Sequence, residues 1–457
     1  MVNGRRDHTA TADPARVAAL RAREDAVFDA RIPQSKILLE RAKRHMPQGV
    51  PMAWMAGLYR FHTVFIAGGD GPRFRDIDGN SYLDFNVCDL AMTMGYGPAP
   101  IVKAASEQMA RGAHFLLATE DSIAVAEDLA ARTAMPFWQF TVSASSANTE
   151  VLRIARHMTG REKVLVFGGH YHGHIDETLV SLGAAGSVPE LLGLPTEVAA
   201  RTVIVPFNDL AAAERVLAGR DIALVLTEPA LTNCNIVLPA PEFHQGLRQL
   251  TRRHGTLLCI DEAHTFQFAY GGLTRAWNLD GDFMVLGKGL GTGLSFALYG
   301  TSEAVADHLV RYRDVDIGPK GLATGGTTYG SAVSVAVARA ALQEVMTPAN
   351  HARVNDLGTR LSDGLDDIFS RHRLPWRAFR LGPRAGYCMA PELPKNGEEA
   401  AISLDAALVD TRRIYMANRG IWDAVVSAGP QASFAHEPSD IERYLQAADD
   451  FIGEVTG

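Results

Sequence analysis

The chain has 457 residues, 47% of them hydrophobic and 21% charged, the balance of an ordinary globular protein with room for two or three domains. Its net charge of −8 leaves no global basic field, which argues against a nucleic acid or an anionic membrane surface as partner. The four cysteines (Cys88, Cys234, Cys259, Cys388) form no CxxC and read as reduced thiols of a cytoplasmic protein, with neither a signal peptide nor a membrane-spanning apolar run.

Residues 1 to about 30 predict a frayed tail and a helix, and Ser35–Arg44 a second helix ended by Met46-Pro-Gln-Gly49. Gly57–Ile66 is expected to be extended. Turn signals at Gly68-Gly-Asp-Gly71 and Asp78-Gly-Asn80 flank short strands at Arg73–Asp76 and Tyr82–Phe85. From residue 100 helical segments (Ile101–Arg111, Ser122–Thr133, Thr149–Met158, Leu210–Ala218, Glu242–His254) alternate with apolar runs (Lys163–Phe167, Thr202–Val205, Ile222–Leu226, Thr256–Ile260, Phe283–Leu286). Apolar runs without polar alternation, spaced by helices, predict an α/β domain whose parallel sheet is covered on both faces. A long helix at Ser331–Met346, another at Val354–Arg371, extended pieces at Arg377–Arg380 and Gly386–Met389, and helices near Leu404–Arg419 and Ser439–Gly453 predict a smaller α+β domain. The expected organisation is an N-terminal segment, residues 1–90, that joins the small domain; a large domain, residues 91–345; and a C-terminal small domain, residues 346–457.

In an open parallel sheet ligands sit at the carboxyl ends of the strands, and chemistry-bearing residues follow four of these runs. Ile222–Leu226 leads to Glu228, Thr256–Ile260 to Asp261, Phe283–Leu286 to Lys288, and Lys163–Phe167 to His170-Tyr-His-Gly-His174. Lys288 stands between two glycines at the end of a buried-looking run. Burial of an ammonium is costly unless it neutralises or bonds covalently, and such lysines are nucleophiles for Schiff-base chemistry. Ser143-Ala-Ser-Ser-Ala147 opens a helix whose N-terminal N–H groups suit a phosphate; plain capping by serine is the bland alternative. A phosphate cradle, the flat ring of Tyr171, an acid at a strand end and a lysine together meet the requirements of pyridoxal phosphate. Asp261-Glu-Ala-His264 also spells the DEAH box of helicases, but no GxxxxGK[ST] loop accompanies it. The histidines around Tyr171 have no matching Cys or His pair at helical spacing, so no metal is expected.

With Asp76-Ile-Asp-Gly-Asn80, Ser143-Ala-Ser-Ser-Ala147, Tyr171-His-Gly173, Glu228-Pro229, Asp261-Glu262, Leu286-Gly-Lys-Gly289 and Gly326-Thr-Thr328 in this order, the chain resembles the class III, fold type I pyridoxal-phosphate aminotransferases. The resemblance is to the branch near glutamate-1-semialdehyde aminomutase and the ω-amine and β-amino-acid transaminases. It implies a large, mostly parallel-sheet cofactor domain, a small α+β domain from both chain ends, and an obligate homodimer. It implies that Lys288 forms the Schiff base, Asp261 pairs with the ring nitrogen, Tyr171 stacks on the ring, and Glu228 lies near the ring hydroxyl and substrate. Ser143, Ala144 and Ser145 fall at the phosphate, His172 and His264 beside the cofactor, and Thr327 reaches the partner subunit's phosphate.

Three departures stand out. Ala144 replaces the family's glycine and His264 a methionine or glutamine, while the region Val50–Met55 lacks the arginine with which relatives bind a substrate carboxylate. Trp54 and Tyr59 would make that wall aromatic, with Arg60 or Arg384 as substitute cations. These departures lead to an expected transaminase with ping-pong kinetics, passing the amine of a primary amine, ω-amino or β-amino acid to an oxo acid such as pyruvate. An intramolecular aminomutase, a racemase and a catalytically silent cofactor-binding protein are the alternatives.

Overall fold

Five apolar runs become neighbouring strands because each can bury both of its faces. The computed structural model describes residues 11–57, 63–183, 186–312, 321–322, 324–423 and 429–456. The chain divides into two units, one of residues 99–351 and 395–401 and the other of residues 1–98, 352–394 and 402–457.

In the first unit a seven-stranded sheet runs in the order Phe137–Thr141, Ala297–Thr301, Phe283–Leu286, Leu257–Asp261, Ile222–Thr227, Lys163–Phe167, Thr202–Val205. Ala297–Thr301 pairs antiparallel with both neighbours and the remaining pairs are parallel. All strands but that one therefore point their carboxyl ends to a single edge. Alternate side chains explain the unbroken apolar runs. Val164, Val166, Leu224 and Leu226 pack with Val151, Ile154 and Ala155 of the helix Ala144–Thr159. Leu165, Phe167, Val225 and Leu258 pack with Leu217, Leu247 and Leu250 of the helices Leu210–Leu217 and Phe243–His254 on the opposite face.

The long helix expected at Ser331–Met346 is an α-helix only over Ala332–Ala340 and continues as a π-turn, Ala341–Val345. The buried guanidinium of Arg132 donates to the carbonyls of Leu342 (3.0 Å) and Met346 (3.1 Å), supplying partners at the end of that turn. Among the described residues no helix is long and apolar enough to cross a membrane.

The second unit draws on both chain ends. Its four-stranded sheet orders Ile66–Asp70, Arg73–Asp76, Ser81–Asp84 and Ile421–Trp422. Phe28, Ile32, Phe74, Tyr82, Ile414 and Trp422 form one of its cores, and a buried Arg412–Asp423 pair (2.6 Å), to which Tyr444 also donates (3.0 Å), ties C-terminal elements together. Four consecutive non-glycine residues, Val87 to Leu90, have φ between 44° and 71°, a conformation costing about 1–2 kcal/mol per residue. The Asp84 carboxylate holds the start of this turn by accepting from the Asn86 (2.9 Å) and Val87 (2.8 Å) amides.

Candidate active site

The carboxyl edge of the large sheet carries the strand-end residues singled out above, Glu228, Asp261, Lys288 and the loop His170–His174. Ser143 caps the helix Ala144–Thr159: its Oγ accepts from the Ser146 amide at 3.1 Å and lies 3.0 Å from Ser146 Oγ. A cap of this kind contributes about 1 kcal/mol and leaves the other first-turn amides directed out of the helix end, where the dipole favours an anion. Ser145 Oγ accepts from the His174 amide (2.9 Å), drawing the loop after Lys163–Phe167 against the helix start. Gly173 makes this approach possible. Its φ is 90°, and a Cβ there would stand 2.3 Å from Ser145 Oγ. Ala144, the departure from the family's glycine, faces another glycine: a Cβ on Gly287 would lie 3.4 Å from that of Ala144. The lysine loop and the helix start thus touch through two small residues.

Asp261 ends the strand Leu257–Asp261 and is buried. Its Oδ2 accepts from His172 Nδ1 (2.9 Å) and Asn148 Nδ2 (2.8 Å), and its Oδ1 from the Ala263 amide (3.0 Å). Burial pushes this acid up, but the His172 hydrogen bond and charge outweigh it and hold the carboxyl below its ordinary range. A buried carboxylate kept ionised is the partner a protonated pyridine nitrogen requires. Asn148 also donates to the His172 carbonyl at 3.0 Å. It was not anticipated, although a polar residue on the apolar face of an amphipathic helix, one turn past Ser145, was a usable signal.

Glu228 follows the strand Ile222–Thr227 and is also buried, and burial pushes its carboxyl up to about 7 against the lowering effect of His172. It accepts from Thr232 Oγ1 and, at 3.4 Å, from the Tyr171 amide. Thr232, four residues downstream, was likewise not anticipated. Tyr171 is 43% exposed and so keeps a ring surface open. His170 is occupied by backbone, with its two ring nitrogens 2.7 Å and 3.0 Å from the Phe167 and Thr178 carbonyls. Glu262, of the DEAH-like string, is a structural anchor that accepts from the Leu273 (2.8 Å) and Thr274 (2.5 Å) amides.

Lys288 differs from expectation in its burial. The strand stops at Leu286, and Lys288 opens a short turn, half-buried, with φ at 48°. The apolar run delivers it to the sheet edge instead of enclosing it. Positive φ at a non-glycine residue is the kind of local strain that clusters at functional sites. Thr327 is exposed, and its carbonyl lies 2.6 Å from His114 Nε2. An anion seat, an ionised buried acid, an open aromatic ring and a lysine at one edge fit pyridoxal phosphate.

The suggested substrate-side residues belong to the other unit or lie outside the described residues. Trp54, on the short helix Ala53–Gly57, lines a pocket of about 470 Å³ with Met55, Phe65 and Trp422. Arg384 is buried, 1% exposed, in the strand Arg384–Cys388 of that unit. Tyr59 and Arg60 are outside the described residues.

The family model for class III aminotransferases matches residues 56–411. The glutamate-1-semialdehyde 2,1-aminomutase of Gemmatimonas aurantiaca is 32% identical over 431 residues, covering 92% of this chain and 96% of the relative. The crystal structure of a glutamate-1-semialdehyde aminomutase from Pseudomonas aeruginosa, in complex with PMP, has 36% identity and a TM-score of 0.92, covering 97% of this chain and 99% of that one. An ω-transaminase from Sphaerobacter thermophilus has 27% identity and a TM-score of 0.85, covering 93% and 98%. These findings overturn the expected intermolecular transaminase: relatives from 30% to 34% identical over most of the chain are aminomutases. The expectation had rested on a few local departures, at Ala144, His264 and the missing arginine, against a chain that follows the aminomutases along nearly its whole length.

Proposed function

The chain belongs to the class III aminotransferase family, and from this we propose that it is an intramolecular aminomutase of the glutamate-1-semialdehyde type. It is a pyridoxal-phosphate enzyme acting on small molecules. The reaction proposed moves an amino group between neighbouring carbons of one short amino aldehyde that bears a carboxylate. The observation that carries this reading is the similarity in sequence and fold to aminomutases over more than nine-tenths of the chain.

Pyridoxal phosphate, when bound, supplies an electron sink that acidifies the C–H beside the amine nitrogen. In this reading Lys288 Nζ attaches the cofactor covalently, then takes the proton from one carbon and returns it to another. Asp261, fixed by His172 and Asn148, holds the proton on the ring nitrogen. The first-turn amides beginning at Ala144, with Ser145, hold the phosphate, and Tyr171 covers the ring. Glu228, with a carboxyl near 7, donates or accepts a proton beside the substrate. We assign the working form as a homodimer in which Thr327 contacts the partner's phosphate. Beside the Thr327–His114 contact, Phe115, Leu116 and Leu117 are all exposed, an apolar strip that a second copy would cover.

The test is to supply purified protein with glutamate 1-semialdehyde alone and, separately, with a panel of primary amines plus pyruvate. The expected result is isomerisation of the first without an acceptor and no amine exchange in the second. Rapid exchange with the amines and no isomerisation would overturn the proposal.

A further inference from the structure

Thr232 Oγ1 lies in hydrogen-bond contact with Glu228 Oε2 on one side and at 2.7 Å from His264 Nδ1 on the other. All three side chains are buried. The backbone bonds between Leu231 and Val237, both 3.0 Å, fix Thr232 in place, and Gln267 Nε2 holds the His264 carbonyl. A hydroxyl has a single proton. If Thr232 donates to an ionised Glu228 it must accept from His264 Nδ1–H; if Glu228 is protonated and donates to Thr232, the hydroxyl proton turns to a bare His264 Nδ1. Both hydrogen bonds therefore reverse together.

We propose that Glu228, Thr232 and His264 form a hydroxyl-bridged proton relay that extends the candidate active site from Glu228 to His264. In one direction the His264 imidazolium gives its Nδ1 proton to Thr232 Oγ1 while Thr232 gives its own proton to Glu228 Oε2. Glu228 ends as the neutral acid, His264 as the Nε2–H imidazole, and Thr232 is regenerated. The reverse restores the carboxylate and the imidazolium. The groups facing Glu228 are the His172 ring, which favours the carboxylate, Asp261, which disfavours it, and the Tyr171 amide. Burial pushes Glu228 up to about 7 against the lowering effects of His172, Thr232 and the Tyr171 amide, so that the hydrogen bond Thr232 makes bears on its protonation. Thr232 and His264 act through Glu228 and are positioning residues. The inference rests on the reading that places Glu228 beside the substrate.

The test uses full-length, cofactor-loaded protein. Infrared difference spectra between the wild type and Glu228→Gln assign the protonated carboxyl band of Glu228, which is then titrated in Thr232→Val, Thr232→Ser and His264→Phe. Thr232→Val is expected to raise the midpoint by about one pH unit or more, because the carboxylate loses its donor. Thr232→Ser should restore it, and His264→Phe should shift it in a Thr232-dependent way. In turnover, Thr232→Val should lower kcat roughly tenfold or more with KM within about twofold, and Ser should recover most of it. An unchanged midpoint in both Thr232→Val and His264→Phe, or a Ser variant indistinguishable from Val, overturns the relay. Because the midpoint is read without substrate, failure of the aminomutase reaction leaves this outcome intact, and His264→Phe reads the far end of the chain should Thr232→Val fail to fold.

Discussion

His172 donates to Asp261 at 2.9 Å with both side chains buried, so the strength of the acid at the strand end is set by a ring from a different loop. His172→Phe should leave Asp261 with Asn148 and the Ala263 amide alone. Taking a hydrogen-bond donor away from a buried acceptor costs about 1–3 kcal/mol. Because the native carboxyl sits below its ordinary value, the stabilisation is present above about pH 4 and is lost as pH falls through the lower native value. Urea denaturation at stepped pH should show the difference between wild type and variant narrowing towards acid. A difference that stays constant would mean that the pair does not hold the charge. Cofactor affinity, followed by absorbance, should fall alongside.

Gly173→Ala tests the helix-to-loop approach. The added methyl meets Ser145 Oγ at a backbone conformation with φ of 90°, and strain plus displacement should cost about 1–3 kcal/mol. The melting temperature should drop, and the rise in melting temperature that cofactor brings should shrink as Ser145 moves. A variant that melts lower yet gains the full cofactor increment would remove Ser145 from the phosphate site.

Much of the sheet was legible because its strands are buried on both faces and read as continuous apolar runs: Phe283–Leu286 was placed to the residue. The strands Phe137–Thr141 and Ala297–Thr301 were not, since Gln139 and Gly300 interrupt them and their antiparallel pairing is set only in three dimensions. The residues at the strand ends were visible for the same reason as the strands. What lay hidden was the support. Asn148 reaches Asp261 across 113 positions, and Thr232 meets His264 across 32; nothing local in the sequence announces such meetings. Lys288 was expected to be buried from its neighbours, whereas the turn that follows Leu286 brings it to the edge. The departure at His264 was noticed, but its partner Thr232 gives it a chemical context that the sequence string lacks.

Glu228→Gln should change the pH dependence of stability. Its native carboxyl is raised from 4.5 to about 7, so ionisation is costlier in the folded chain than in the unfolded one. The contribution of Glu228 to native stability is then greatest below about pH 4.5 and declines as pH rises to about 7, by about 3 kcal/mol in the limit. The Gln variant, which cannot ionise, should lack that decline and be the more stable protein at pH about 8, while losing turnover. Parallel stability curves for the two proteins between pH about 4 and 9 would contradict the raised carboxyl.

Lys288→Ala separates attachment from folding. Lys288 opens the turn after the strand Phe283–Leu286, which is packed independently of it, so the variant should fold with a melting temperature close to that of wild type. It should bind the cofactor without covalent attachment: borohydride should fix label on wild type and not on the variant. Turnover should fall by at least about 10²–10⁴-fold, the scale of a lost acid–base group. Activity near that of wild type would sink the assignment of the proton-carrying residue.

Leu117→Asp addresses the assembly. Leu117 is 78% exposed beside Leu116 at 67% and Phe115 at 48%, an arrangement that costs solubility unless it is covered. Burying one leucine contributes about 1.5–3 kcal/mol, and a two-fold interface repeats each change on both sides. The substitution should therefore weaken the dimer by roughly two to four orders of magnitude in dissociation constant. Light scattering during gel filtration should show monomer at micromolar concentration. Because Thr327 is read as contacting the partner's phosphate, cofactor affinity and turnover should become concentration-dependent in the variant and recover together as dimer re-forms. A stable dimer, or a monomer with full activity, would detach both the strip and Thr327 from the site.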